Sequence, residues 1–182
     1  MVERYRIQED RALYYLTFSV IHWLPIFIDE NACKIVTDSL CFCHEEKELR
    51  VNAFVIMPTH IHLLVFDADF DSRRLQQTVT AMRKFTGRQL ADYSARALPA
   101  VFEQLMGTGR RADRSRHFWQ PTRHPEAIWS ESFWKSKIDY IHDNPCRKGL
   151  VRRSTDWRFS SAAFWLLDPP GPSDVTLTEV NW

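Results

Sequence analysis

Glycine is scarce in this chain, five residues in 182, which argues against a loop-dominated fold and for regular elements. Long apolar runs are also missing. No stretch approaches the roughly eighteen unbroken apolar residues of a membrane span. The opening MVERYRIQEDRALYY has no apolar core of the kind a secretory leader needs. These absences predict a cytosolic protein with reduced thiols. An excess of one charge sign is lacking too: 24 Lys and Arg against 23 Asp and Glu leave +1. No global basic field therefore announces a nucleic-acid binder. The charges are segregated all the same, acidic over 29–48 and basic over 73–88, 110–123 and 147–158. That pattern suits an anionic ligand on one face.

Cysteine is sparse and unpaired in pattern. Cys41-Phe42-Cys43-His44 lacks a second ligand pair at finger-like spacing, which argues against structural zinc. Cys33, Val36, Leu40 and Cys43 instead share one helical stripe, where free cysteine acts as a small hydrophobe. Met106-Gly107-Thr108-Gly109 has no Walker lysine, so no phosphate loop is expected. No internal repeat is visible.

What is present is core-forming material, 45% hydrophobic with 13% aromatic residues. It suits one domain over 1–167 and a tail over 168–182. The tail opens on Asp168-Pro169-Pro170-Gly171-Pro172 and is expected to pack poorly. Leu13 to Val20 reads as a first strand, rich in aromatic and β-branched residues. Asp29 or Asn31 can cap a helix reaching about Lys47. Arg50 to Ile56 and His60 to Phe66 read as two strands of a hairpin around Met57-Pro58-Thr59, since proline cannot donate to a central ladder.

A helix opens at Ser72 with Leu75, Val79, Met82 and Phe85 or Thr86 inward, leaving Arg73, Arg83, Lys84 and Arg88 on the polar side. Residues 93–116 are the least legible. Phe118 to Gln120 and His124 to Trp129 are short extended candidates. Ser130 caps a helix over Glu131 to Asn144 that should stop before Pro145. The segment 146–165 reads as a basic turn followed by short helix or coil. The order β, α, β-β, α, β, α predicts an α+β fold of ferredoxin-like or RRM-like type: an antiparallel sheet with helices packed on it and the last helix bearing a tyrosine.

The chemistry concentrates in two stretches. His60 and His62 are spaced i, i+2, which puts both imidazoles on one strand face. On the last helix, Phe133, Lys137, Tyr140 and Asn144 form one stripe, while Trp134, Ile138 and Ile141 form the docking stripe. His142 points to the opposite side from Tyr140 and is not a ligand candidate. Two imidazoles and an amide oxygen make a three-donor site suited to a divalent Lewis-acid ion. A free phenol is a weak nucleophile near neutral pH, so Tyr140 needs such a neighbour to attack phosphorus. Asn144 has a plain competing reading as a helix C-cap before Pro145.

These residues resemble a known family. Val55-Ile56-Met57-Pro58-Thr59-His60-Ile61-His62-Leu63-Leu64 looks like the His-hydrophobic-His (HUH) signature of single-tyrosine transposases. Tyr140-Ile141-His142-Asp143-Asn144-Pro145, followed by Gly149-Leu150-Val151, looks like their nucleophile segment, nearest to the REP-associated tyrosine transposases. Phe118-Trp119-Gln120 and Asp156-Trp157-Arg158-Phe159-Ser160-Ser161 resemble further stretches of that branch. Thr59 stands where asparagine is frequent, and Cys146 where valine is expected.

The resemblance implies Tyr140 as nucleophile, His60 and His62 as metal ligands, and Asn144 in the place of a third ligand. It also implies Mg²⁺ or Mn²⁺, hairpin-bearing single-stranded DNA with a REP-like palindrome, and a 5′-phosphotyrosine intermediate. Arg110, Arg111, Arg114 and Arg116 are candidate phosphate contacts. Arg83 and Lys84 fit phosphate binding and a solvated helix face equally. A monomer acting in cis is favoured, with a homodimer open. Two rivals stay in play: a nuclease activating water at the same histidines, and a non-catalytic module holding structured DNA or RNA.

Overall fold

A β-hairpin sets the topology of the molecule. The computed structural model describes residues 7, 12–107, 118–121 and 125–180. In it β2 (Leu49–Met57) and β3 (His60–Asp67) pair antiparallel, with Met57 opposite His60. The link is therefore the two residues Pro58-Thr59, one fewer than the sequence suggested, because Met57 still belongs to the ladder. β1 (Leu13–Ser19) pairs antiparallel with β3, and β4 (Glu126–Ile128) with the outer side of β1. The sheet order β2-β3-β1-β4 is that of the ferredoxin-like α+β fold, as expected from the element order.

Both faces of the sheet are covered, which is why β2 and β3 read as nearly continuous apolar runs. On one side lie α1 (Glu30–Glu46) and α2 (Ser72–Ala97), contributing Cys33, Val36, Leu40, Cys43, Leu75, Val79 and Met82 against Ile61, Leu63 and Val65. Asp29 caps α1 by accepting from the Asn31 and Ala32 amides, and Asp71 caps α2 through Arg74 N–H. Of the two inward candidates on α2, Thr86 is buried and Phe85 is 55% exposed. A short α3 (Ala100–Gly107) follows α2 within the stretch that was hard to read.

The other face carries α4 (Glu131–Arg147), with Ile141 buried and Phe133, Trp134 and Ile138 packed beside Tyr15, Val55, Met57 and Leu64. Ser130 caps its start as expected, accepting from Phe133 N–H. Its end differs from the expectation, because the helix runs through Pro145. The proline sits in the last turn, where it cannot supply an amide to the Ile141 carbonyl one turn earlier. Beyond it Gly149, at φ 70°, donates to Cys146 while Leu150 donates to Pro145. Those two bonds are a Schellman closure.

Two further corrections concern the C-terminal part. Phe159 to Ser161 is neither helix nor free coil. It lines the open edge of β2, with Ile56 N–H donating to Phe159 and Ser161 N–H to Phe54, and a short α5 (Ala162–Leu166) follows. The tail, expected to pack poorly, is docked. Val175 is 2% exposed, and Thr178 N–H donates to the Val51 carbonyl. Both segments cap an edge strand that would otherwise present unpaired backbone groups.

Candidate active site

His60 and His62 project from β3 toward the α4 face, with ring centroids 4.7 Å apart. They share that face because they alternate with Ile61, which is buried on the opposite side. Each imidazole is held at Nδ1. The Thr59 hydroxyl lies 2.9 Å from Nδ1 of His60, and the hydroxyls of Tyr15 and Thr17 lie 2.7 and 2.9 Å from Nδ1 of His62. Tyr15 stacks on the His62 ring at 5.4 Å. With the Nδ1 proton donated to one of these oxygens, the ring lone pair is left on Nε2.

Burial keeps both rings neutral. It pushes His62 down to about 3, with the neighbouring His60 and Lys137 adding to the shift. His60 is pushed down to about 4, again mainly by burial and then by Lys148. Neutral imidazoles at physiological pH are what a cation requires.

Tyr140 on α4 stands edge-on to His62, with ring centroids 5.3 Å apart, and is 37% exposed. Asn144 lies one helical turn later and is buried at 3%. It is not the C-cap, since Lys148 occupies that position. Two buried polar atoms on these elements have no hydrogen-bond partner, Nε2 of His62 on β3 and Oδ1 of Asn144 on α4. Leaving such atoms unmatched is costly, and an imidazole nitrogen and an amide oxygen are each donors that a divalent ion accepts. Among the described residues no cluster of three or more His, Cys, Asp or Glu exists that could hold a metal.

Other side chains join the site, and of these only Lys137 was named in the sequence, as a member of the Tyr140 stripe. Arg147 places its guanidinium 5.4 Å from the centre of the Tyr140 ring. Lys137 bonds Glu126 at 2.8 Å and lies 4.2 Å over the Tyr15 ring, tying α4 to β4. Tyr15 and Thr17 carried a readable signal, since they share one face of a strand. What was missing was the register that sets Thr17 opposite His62.

The remaining candidates are placed elsewhere. His142 is buried on the far side of α4 with Nε2 2.8 Å from the Ser161 hydroxyl, consistent with its exclusion as a ligand. Arg83 and Lys84 lie on α2, across the sheet from the histidines. The Arg83 guanidinium donates to the Gln120 carbonyl and sits 5.6 Å from the Phe18 ring, while Lys84 is exposed. Arg110, Arg111, Arg114 and Arg116 lie outside the described residues. No described helix is long and apolar enough to cross a membrane.

No protein-family profile matches the chain. In sequence it is 25% identical over 120 residues to the REP-associated tyrosine transposase of Escherichia coli K12, covering 64% of this chain. The resemblance read from the two motifs is borne out. The match spans 56% of that relative's length, little more than half. In fold, the chain is similar over its full length to a solved REP-associated tyrosine transposase bound to a REP hairpin. The TM-score is 0.62 at 18% identity, with 95% of that chain covered. At that identity the likeness establishes the fold, an antiparallel sheet with packed helices.

Proposed function

We propose that the protein is a transposase-like DNA-processing enzyme that cleaves and rejoins single-stranded DNA beside a hairpin, with Tyr140 as nucleophile. The observation that carries this reading is the seating of Tyr140 against His62 of its own chain, at 5.3 Å between ring centroids. The similarity to a REP-associated tyrosine transposase, and to one solved on a REP hairpin, supports the substrate class.

In this reading the Tyr140 oxygen attacks phosphorus and forms the Oη–P bond. The P–O3′ bond breaks with its electron pair going to O3′. The proton released by the phenol returns through solvent to that oxygen, giving a free 3′-hydroxyl. The 5′-phosphotyrosine keeps the bond energy, so attack by a 3′-hydroxyl rejoins the strand and restores the phenol.

His60, His62 and Asn144 would hold Mg²⁺ or Mn²⁺, which when bound supplies Lewis acidity to a non-bridging phosphate oxygen. Thr59, Thr17 and Tyr15 orient the two imidazoles. Arg147 steadies the tyrosine ring through a cation–π contact. The arginines at 110, 111, 114 and 116 serve as backbone phosphate contacts, which makes affinity fall steeply with salt. Cleavage in cis by a monomer is the favoured arrangement, supported by the Tyr140 contact with His62 of its own chain.

The test is Tyr140→Phe on hairpin-bearing single-stranded DNA, resolved on a denaturing gel. The parent protein should yield a protein–DNA adduct and the variant none. Cleavage by the parent to a free 5′-phosphate without adduct would instead identify a nuclease that activates water. Binding without cleavage would identify a non-catalytic module.

A further inference from the structure

We propose that Trp23 is a stacking platform for one unpaired nucleobase next to the scissile phosphate, a subsite that rests on the single-stranded DNA reading above. Trp23 is 56% exposed although it lies between buried neighbours, Val20 at 0%, Leu24 at 7% and Ile26 at 0%. Its backbone and that of His22 both adopt φ 54°. A bulky side chain in the left-handed region is uncommon, and two such residues in succession are strained. Strain of this kind persists only where the surroundings impose it.

Here the surroundings are on both sides of the loop. Val20 N–H donates to the Thr59 carbonyl at 2.9 Å and Phe27 N–H to the Pro58 carbonyl at 3.0 Å, while Trp23 N–H returns to Val20 at 3.0 Å. The loop is thus fastened to the Pro58-Thr59 turn, which leads directly into His60. The indole is held beside the site, 6.0 Å from the His60 ring and nearly perpendicular to it. A tryptophan serving only the core would be sunk as Trp119 is, at 6%.

The position selects the ligand. A phosphodiester held at His60 and His62 has its own base one sugar away, and in single-stranded DNA that base is unstacked and needs a partner. A rigid, solvent-facing indole offers a π surface that accepts any base, since stacking is tolerant of sequence. Fixing that base also fixes the sugar and the phosphate to which Tyr140 must be in line.

The test uses the full chain and a stem-loop selected for binding from a randomised pool, presented with single-stranded extensions and as a blunt hairpin. Trp23→Ala should weaken binding of the extended hairpin roughly five- to hundredfold, Trp23→Phe far less, and blunt-hairpin affinity should be unchanged in both. An abasic nucleotide at one extension position should lower parent affinity by a similar factor and leave Trp23→Ala unaffected. Equal affinity of parent and Trp23→Ala for the extended hairpin would overturn the subsite. So would an equal loss on the blunt hairpin, or the absence of any such abasic position. If the parent selects no hairpin from the pool, the DNA reading itself fails, which is a separate and recognisable outcome.

Discussion

The Tyr15 hydroxyl lies 2.7 Å from Nδ1 of His62, while Nε2 of the same ring is buried without a partner. One nitrogen is held by the protein and the other is kept for something else. Strand pairing produces this arrangement. Thr17 stands directly opposite His62 on β1, and Tyr15, two residues earlier, shares its face.

Removing these partners should therefore weaken the ion before it weakens the fold. In the double variant Tyr15→Phe, Thr17→Val the His62 ring loses the groups that fix its tautomer. Titration calorimetry with Mn²⁺ on the full chain should show affinity lower by roughly ten- to a hundredfold. Each single variant should lose less, because either hydroxyl can hold Nδ1. Unchanged affinity in the double variant would remove these residues from the site.

Arg147 bears on the nucleophile rather than on the ion. A guanidinium 5.4 Å from the Tyr140 ring centre can hold that ring in place by cation–π attraction. Arg147→Met should slow adduct formation by roughly tenfold while leaving Mn²⁺ affinity unchanged. Arg147→Lys, which keeps a cation, should recover part of the loss. An adduct rate equal to the parent's in Arg147→Met would remove this arginine from the site.

His142 makes the fold itself sensitive to acid. Burial pushes it down to about 4, against smaller opposing effects from Asp139 and Asp143. The unfolded chain takes up this proton near 6.5, and the folded chain resists until about 4. Stability is therefore fully present above pH 6.5 and falls as pH drops through that window, by on the order of 3 kcal/mol for this residue. His60 and His62 add the same sign. Denaturant midpoints at neutral and mildly acidic pH should converge in His142→Asn relative to the parent.

The elements were legible where one period dominates. Leu75, Val79 and Met82 on α2, and Trp134, Ile138 and Ile141 on α4, each make a stripe that tertiary packing then uses. What the apolar run of β2 concealed is a bulge at Asn52, between Val51 and Ala53. The extra residue moves the strand's parity, so Val51 faces the α1–α2 layer while Ala53, Val55 and Met57 face the site. With both faces apolar, nothing in the residue types marks that shift. Asn52 is held through distant partners, Trp134 Nε1–H donating to its Oδ1 and its own amide donating to Thr178. The same non-local contact explains the docked tail. The candidate donors were readable because HxH and a tyrosine–asparagine turn are local patterns; their outer partners come from pairing register and were not.

Asn144 supplies the sharpest separation of a ligand from a packing residue. Its Oδ1 is buried without a partner, and the C-cap role belongs to Lys148. A structural asparagine replaced by an apolar residue of similar size loses its hydrogen bonds and destabilises the fold. Here the replacement instead removes an unmatched oxygen, whose burial costs about 1–3 kcal/mol. Asn144→Leu should therefore be at least as stable as the parent in chelator, measured by thermal unfolding. With Mn²⁺ in large excess the parent should gain roughly 2–3 kcal/mol by mass action, as at about a hundredfold over its dissociation constant. Asn144→Leu should gain far less. A variant that is destabilised in chelator and still stabilised by Mn²⁺ like the parent would return Asn144 to a packing role, leaving His60 and His62 as the protein donors.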